Sequence, residues 1–291
     1  MNNNSAIKHR QTLSKINNFN ILELRKMPQY FGWVEYSVNI KNKIFLFLGG
    51  NDDGVALRCF WNSHYEKKTL EIWACLSCTD GIILDIGAHT GIYSLVAKNS
   101  IKNGAVISFE PHFLNFSRLN LNFRANKFST NTLFMNAVGE KNEILSFSVD
   151  SNYNFLSSGG KIGKVNNMST TKIKTFAMDS FLDDQAKTNV KLIKIDVEGH
   201  EYKVFLGMKN IILKSQPVLF FECISDKDST QIYSFLCSNN YRIFIVDDIE
   251  NSINETYEVL PIFDNANKLI HQKINRIAVP NSNIYLLNQF I

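Results

Sequence analysis

From residue 80 onward, short apolar runs alternate with segments whose apolar residues recur every three or four positions. Residues 82–86 form a continuous apolar run, as in a strand buried on both faces of a parallel sheet, and a glycine turn follows. Helical spacing then covers 92–99. Asn103-Gly104 turns into a second apolar strand at 105–109, after which Phe113, Phe116, Leu119 and Phe123 repeat at helical intervals to about residue 126. Residues 132–135 read as a third strand. Two more buried strands fall at 190–195 and 217–222, separated by a helix carrying Val204, Phe205, Met208, Ile211 and Ile212. A short helix at 231–237 and strands at 241–246 and near 284–287 complete the series. Ahead of it lie a short helix at 21–26, strands at 34–40 and 43–48 ending on Gly49-Gly50, and a helical stretch at 65–78 that stops at Asp80-Gly81.

Strand–helix repetition of this kind predicts an α/β doubly wound sheet with helices on both faces. Residues 142–179 interrupt it. They alternate like a β-hairpin (Leu145, Phe147, Val149, then Ile173, Thr175) around Ser157-Ser158-Gly159-Gly160, at a place that makes them a candidate lid. Tyr153, Phe155 and Phe176 in this insertion fit stacking on a sugar face and hairpin packing equally well.

Composition narrows the function. The 291 residues are 45% hydrophobic and 20% charged, and a net charge of +4 is too mild to suggest nucleic acid as partner. The five cysteines, an odd number, argue for a reducing compartment rather than a disulfide framework. Cys75 and Cys78 make a C-x-x-C without the second pair that zinc needs, so they are expected to be buried in packing. Residues 1–18 lack the apolar core of a leader. The longest apolar run, 44–48, is far below the ~20 residues that span a bilayer, so a soluble, cytoplasmic protein with no transmembrane segment is expected.

Four motifs carry the chemistry. Asp85-Ile86-Gly87-Ala88-His89-Thr90-Gly91 puts a tight turn at a strand end, where Gly87 and Gly91 let the backbone approach a ligand and the following helix favours an anionic group. A dinucleotide fingerprint would need a glycine where His89 stands, and Asp85 suits a cofactor bearing an ammonium group. Glu110, in Phe109-Glu110-Pro111, ends the second strand, where an acid accepts hydrogen bonds from a ribose diol. Asn136, in Asn136-Ala137-Val138-Gly139, stands where an amide reaches an adenine edge. In Lys194-Ile195-Asp196-Val197-Glu198-Gly199-His200-Glu201, Asp196 and Glu198 lie two apart at a strand end, so both are expected on one face. Such acids are costly to bury unless they bind or react. Glu198 and Glu201 also suit the start of a helix, and Glu222, at the next strand end, could join the group.

These motifs, together with Tyr93-Ser94-Leu95, the Asn115…Asn120-Leu121-Asn122 helix, Asp179 and Pro217…Phe221-Glu222, resemble the FkbM-type family of S-adenosylmethionine-dependent methyltransferases. The resemblance implies the class I methyltransferase (Rossmann-like) fold, a mostly parallel seven-stranded sheet with its last strand antiparallel, here with a β-hairpin insertion and an N-terminal extension. Residues 65–291 would form the methyltransferase domain. Residues 1–64 would be an extension that could bear on substrate choice. The family mostly methylates hydroxyl groups on sugars of glycans, glycolipids or natural products, so the partner is a small-molecule or glycan acceptor. His89 departs from the Asn that many members carry.

On this reading Asp85, Gly87, His89, Gly91, Glu110 and Asn136 bind S-adenosylmethionine. Asp196 is the general base, with His200 second. Asp196 and Glu222 could instead hold a divalent metal that binds a sugar diol. Two other readings share the layout: a nicotinamide-dependent oxidoreductase and a non-catalytic S-adenosylmethionine-binding module.

Overall fold

The computed structural model describes residues 3–39, 42–149, 156, 159–224 and 226–291. The chain opens with α1 (Asn4–Thr12), α2 (Ile21–Leu24), the antiparallel pair β1 (Tyr30–Ser37) and β2 (Lys43–Gly50), then α3 (Gly54–Trp61) and α4 (Lys67–Leu76). Asn20 starts α2 through a reciprocal bond with Glu23, a capping box. Helices α1 and α3 are not foreshadowed by periodicity. The first is polar throughout and buries only Ala6, while the second buries Val55, Ala56, Leu57, Cys59 and Trp61 and so has no single apolar stripe.

Next come β3 (Asp80–Ile86), α5 (Ile92–Ser100), β4 (Asn103–Phe109), α6 (Phe113–Ala125) and β5 (Leu133–Phe134). The insertion is a small sheet of β6 (Ala137–Val138), β7 (Glu143–Val149), β8 (Lys161–Ile162) and β9 (Ser169–Phe176), in the order β6-β9-β7-β8. It is built on the antiparallel β7–β9 pair that the alternation predicts. Tyr153, Phe155, Ser157 and Ser158 lie outside the described residues. After α7 (Met178–Phe181) and α8 (Asp184–Lys187) the chain returns through β10 (Val190–Ile195), α9 (Glu201–Gly207), α10 (Lys209–Ser215), β11 (Val218–Glu222), α11 (Ser229–Ser238), β12 (Tyr241–Asp247), β13 (Ser252–Thr256) and β14 (Asn275–Pro280). Asp179 accepts from the backbone N–H groups of Asn210 and Ile211 and so closes the start of α10.

The main sheet has eight described strands, not seven, in the order β13-β12-β14-β11-β10-β3-β4-β5. Strands β5, β4, β3, β10 and β11 are mutually parallel. Strand β14 inserts antiparallel between β11 and β12, and β13 adds an antiparallel edge. The last strand is not at 284–287, where Asn281–Leu287 is a 3-10 helix. It is β14, whose opening Asn275-Arg276 disguises it: both are fully buried, and Arg276 donates to the carbonyl of Lys273. Cys75 and Cys78 are exposed rather than packed, because the buried stripe of α4 runs through Leu70, Ile72, Trp73 and Ala74.

Alternation along the strands divides the core. Ile83, Val106, Leu192 and Phe220 face α4, α5 and α6, whereas Leu84, Ile193, Leu219 and Phe221 face α9, α10 and α11. No helix among the described residues is long and apolar enough to cross a membrane.

The β1–β2 hairpin is fixed to the sheet by side chains of α6. Asn126 accepts from Phe45 N (2.9 Å) and donates to Phe45 O (2.8 Å). Asn122 accepts from Phe47 N (2.9 Å), and Arg118 donates to Phe47 O (2.8 Å). Four residues of helix advance about 6 Å and two residues of strand about 6.6 Å, so a stripe at 118, 122 and 126 matches alternate positions of β2. The free edge of the hairpin is thereby paired. Asn122, fully buried, also donates to Thr90 O at 2.8 Å, tying the glycine turn to the hairpin. Asn122→Ala should cost about 2–4 kcal/mol, since two buried backbone groups lose their partners. A urea titration checks this; a midpoint unchanged from the parent would show that the link is dispensable.

Candidate active site

The tips of β3, β4, β10 and β11 lie side by side at one edge of the sheet. After β3 the chain turns at Gly87, with φ +83°. A Cβ there would lie 1.7 Å from the Asp196 carbonyl oxygen, so only glycine allows the β3 and β10 ends to meet so closely. Gly87 N and Ala88 N both donate to Phe109 O at 2.9 Å, and Asp196 N donates to Ile86 O at 2.9 Å. Gly91 has φ +97° and packs against Leu119.

Glu110, 5% exposed, braces this turn. One carboxylate oxygen accepts from His89 N and the other from His112 N, both at 2.8 Å, and the Asn115 side chain also hydrogen-bonds to it. Burial pushes its pKa up to about 7, against the downward pull of those donors. His89 has φ +50° and a ring whose nitrogens are buried with no hydrogen-bond partner among the described residues; burial lowers its pKa. Thr90 Oγ1 and His112 Nδ1 are likewise buried without partners. Asn136 stands at the rim, its amide donating to Lys174 O at 3.3 Å. Asp85 is 1% exposed and receives the Ser94 hydroxyl, which also meets Ser108 Oγ at 2.7 Å. Burial raises Asp85 to about 6.

The acidic corner is organised by a residue that the strand pattern hides. Lys194 is 1% exposed and pairs in register with Asp85 across β3. Its ammonium lies 3.4 Å from Asp196 Oδ2, 3.8 Å from Glu222 Oε1, and 5.0 Å above the Tyr93 ring. Burial disfavours this charge, yet Asp196, Glu222, Glu66 and Asp85 together outweigh that and hold its pKa above the usual lysine value. Glu66 accepts the Tyr93 hydroxyl and extends the group, as does Tyr65, whose phenol is held well above its ordinary range by burial and by Glu66 and Glu222. Glu222 is raised by burial first and by Asp196 second. Asp196 is the most open of the three paired groups, with 29% of its side chain accessible against 10% for Glu222 and 1% for Lys194.

Asp196 and Glu198 do not share a strand face. Strand β10 ends at Ile195, and Glu198 occupies the left-handed region at φ +55°, so alternation has stopped before it. Burial, with repulsion from Asp196 and Glu201, raises Glu198 to about 8. Glu201 closes the turn by accepting from Val197 N and Gly199 N. His200 sits apart from the Lys194 group, against Gly139, with Lys203 and Glu140 nearby; burial lowers its pKa. The structure thus brings together Asp85, Gly87, His89, Gly91, Glu110, Asp196 and Glu222, and leaves Asn136 and His200 at the side of β6. Sequence reasoning gives no role to Lys194, Glu66, Tyr65 or Tyr93, because the contacts that join them, Lys194 with Glu222 and Tyr93 with Glu66, are remote along the chain.

Five parallel strands continued by three in antiparallel pairing, with glycine and acid turns at the strand tips, define a class I methyltransferase-type α/β fold. The profile of the methyltransferase FkbM domain matches residues 85–243, more than half of the chain, and the protein belongs to that family. Similar solved structures include a methyltransferase FkbM from Methylobacillus flagellatus (16% identity, TM-score 0.43, covering 69% of this chain and 44% of that one). Others are a precorrin-6y C5,15-methyltransferase from Geobacter metallireducens (14%, 0.41, covering 74% and 88%) and an O-methyltransferase from Bacillus cereus in complex with SAH (13%, 0.40, covering 74% and 80%). The chain thus spans less than half the length of the FkbM structure it resembles. No curated protein matches.

The Lys194 ammonium gives a direct test of the corner. Lys194→Met leaves Asp85, Asp196 and Glu222 uncompensated, and should cost about 3–5 kcal/mol at pH 8. The penalty shrinks as acidification lets Asp85 and Glu222, both raised by burial, take up protons, so denaturant titrations at pH 8 and pH 5.5 should show a larger loss at the higher pH. Equal losses at both would mean that the ammonium does not compensate these acids.

Proposed function

We propose that this chain is an S-adenosylmethionine-dependent methyltransferase that delivers the methyl group to a hydroxyl of a sugar, glycan, glycolipid or natural product. The observation that carries this reading is the junction of Gly87 with Asp196, which sets a glycine turn braced by Glu110 directly beside a partly open carboxylate. Thr90 Oγ1 and His112 Nδ1, buried near Glu110 and without hydrogen-bond partners among the described residues, fit a polar ligand such as a nucleoside.

S-adenosylmethionine would supply the transferable methyl on a sulfonium. The chain would do the rest. Glu110 accepts the ribose hydroxyls, Gly87 and Gly91 let the backbone approach, Asp85 and His89 line the amino-acid side, and Asn136 lies toward the adenine. Asp196, the accessible acid, takes the hydroxyl proton as the new bond forms; its link to Lys194 orients it. His200 is the second candidate. Residues 1–64 would be an extension that bears on substrate choice, in a cytoplasmic enzyme. The Lys194 ammonium stands between Asp196 and Glu222, where a divalent cation would have to sit, which favours a metal-independent reaction.

Calorimetry with S-adenosylhomocysteine, followed by transfer of labelled methyl to hydroxyl-bearing glycans, tests the whole reading. Asp196→Asn should lower turnover at least about 100-fold with S-adenosylhomocysteine affinity retained, and the parent should be unaffected by EDTA; normal turnover in the variant removes Asp196 as base. The ionised form of Glu110 accepts the ribose hydroxyls, so a proton must leave for binding. Affinity should therefore rise with pH up to about 7 and level off above it. Glu110→Gln should weaken binding roughly 10- to 100-fold and flatten this pH profile. A parent with no pH dependence would show that Glu110 is not the titrating ligand.

A further inference from the structure

One buried carboxylate at the cleft is only half used. Asp53 begins α3, and its Oδ1 accepts from Val55 N at 2.8 Å and Ala56 N at 3.2 Å. That is all a helix start requires, and Asn or Ser would serve as well. The residue is fully buried, and its other oxygen, Oδ2, has no hydrogen-bond partner among the described residues. A carboxylate oxygen hidden from water without a donor is a standing cost unless a ligand supplies one.

The loop before α3 is held over the glycine turn. Asp52 pairs with Arg118 at 2.7 Å and accepts from Gly49 N at 3.0 Å, while Asn122 joins β2 to Thr90. Across this seam lies His89, with both ring nitrogens buried and unpartnered. Asp53 exerts the strongest charged influence on that ring, ahead of Asp196, yet no hydrogen bond joins the two side chains. An unused carboxylate oxygen is therefore buried in the neighbourhood of an imidazole whose nitrogens are also unused. The group that satisfies both is a cationic donor with more than one hydrogen, such as a primary ammonium. Asp85, the acid that the sequence suggests for this task, is already occupied by Ser94.

We propose that Asp53 and His89 receive the ammonium at the amino-acid end of S-adenosylmethionine, so that a residue of the N-terminal segment completes the cofactor site. This rests on the methyltransferase reading above. Asp53→Asn separates binding from folding, because the asparagine oxygen still caps α3 while the anionic acceptor is lost. Calorimetry on the full chain would use S-adenosylhomocysteine and 5′-methylthioadenosine, a thioether nucleoside without the amino-acid end. The variant should bind S-adenosylhomocysteine roughly 10- to 100-fold more weakly and methylthioadenosine as tightly as the parent. Equal weakening for both, or unchanged affinity for S-adenosylhomocysteine, overturns the proposal. A parent that binds neither overturns the cofactor reading itself, a result distinct from either of these.

Discussion

The close approach of Gly87 to the Asp196 carbonyl is the constraint on which the cleft depends. Two parallel strands normally diverge at their ends as each chain turns toward its helix. Here the missing Cβ lets the turn after β3 lie against the backbone after β10, and Asp196 N completes the contact on Ile86 O. The glycine turn and the acidic turn become one surface. Everything that needs both, a ligand in the first and a carboxylate beside it from the second, follows from that contact.

A second consequence is electrostatic. Lys194 faces Asp85 across the strands and reaches Asp196 and Glu222 on the same side of the sheet. One buried cation thus serves several acids. Burial and mutual repulsion hold Asp85, Glu198 and Glu222 above their ordinary ranges. Such a corner has more capacity for positive charge than Lys194 alone fills. Under the proposed reading, a sulfonium beside it meets a field that favours the cation, and a proton leaving a hydroxyl finds an acceptor already oriented.

The strand tips were legible in the sequence because their signals are local. An apolar run, then an acid, then a glycine (β3 and β10) or a proline (β4) identifies these strand ends without any knowledge of their neighbours. Glu198 shows the limit: alternation predicts a shared face with Asp196 only while the strand lasts, and it ends at Ile195. Lys194 is harder. A lysine in an apolar strand looks like an edge or surface position until Glu66 and Glu222 arrive from elsewhere in the chain. Strand β14 was masked in the same way: Arg276 is a polar letter whose acceptors, Lys273 O and Leu260 O, lie outside any strand, and Asn275 is a buried polar residue in a strand position. The N-terminal hairpin was visible as two strands, but its attachment was not. The stripe Arg118, Asn122, Asn126 reads as a solvated helix face, and only the spacing of β2 against it turns three polar residues into a seam.

Under the proposed reading, the setting of Lys194 bears on why a lysine and not a metal would organise the acids. A divalent ion would need the space between Asp196 and Glu222, where the Lys194 ammonium lies within 3.4 and 3.8 Å of their oxygens. The lysine is covalently tethered to the same strand, and Tyr93 covers it from α5. Expelling it would strand an ammonium in a core from which it has no exit, at a cost comparable to breaking a buried ion pair. A tethered cation is also always present, so the acid corner is assembled before any ligand arrives. For a reaction in which the cofactor carries its own electrophile, the protein needs alignment and a proton acceptor. An ammonium that fixes Asp196 supplies the orientation without withdrawing its accessible oxygen from the acceptor.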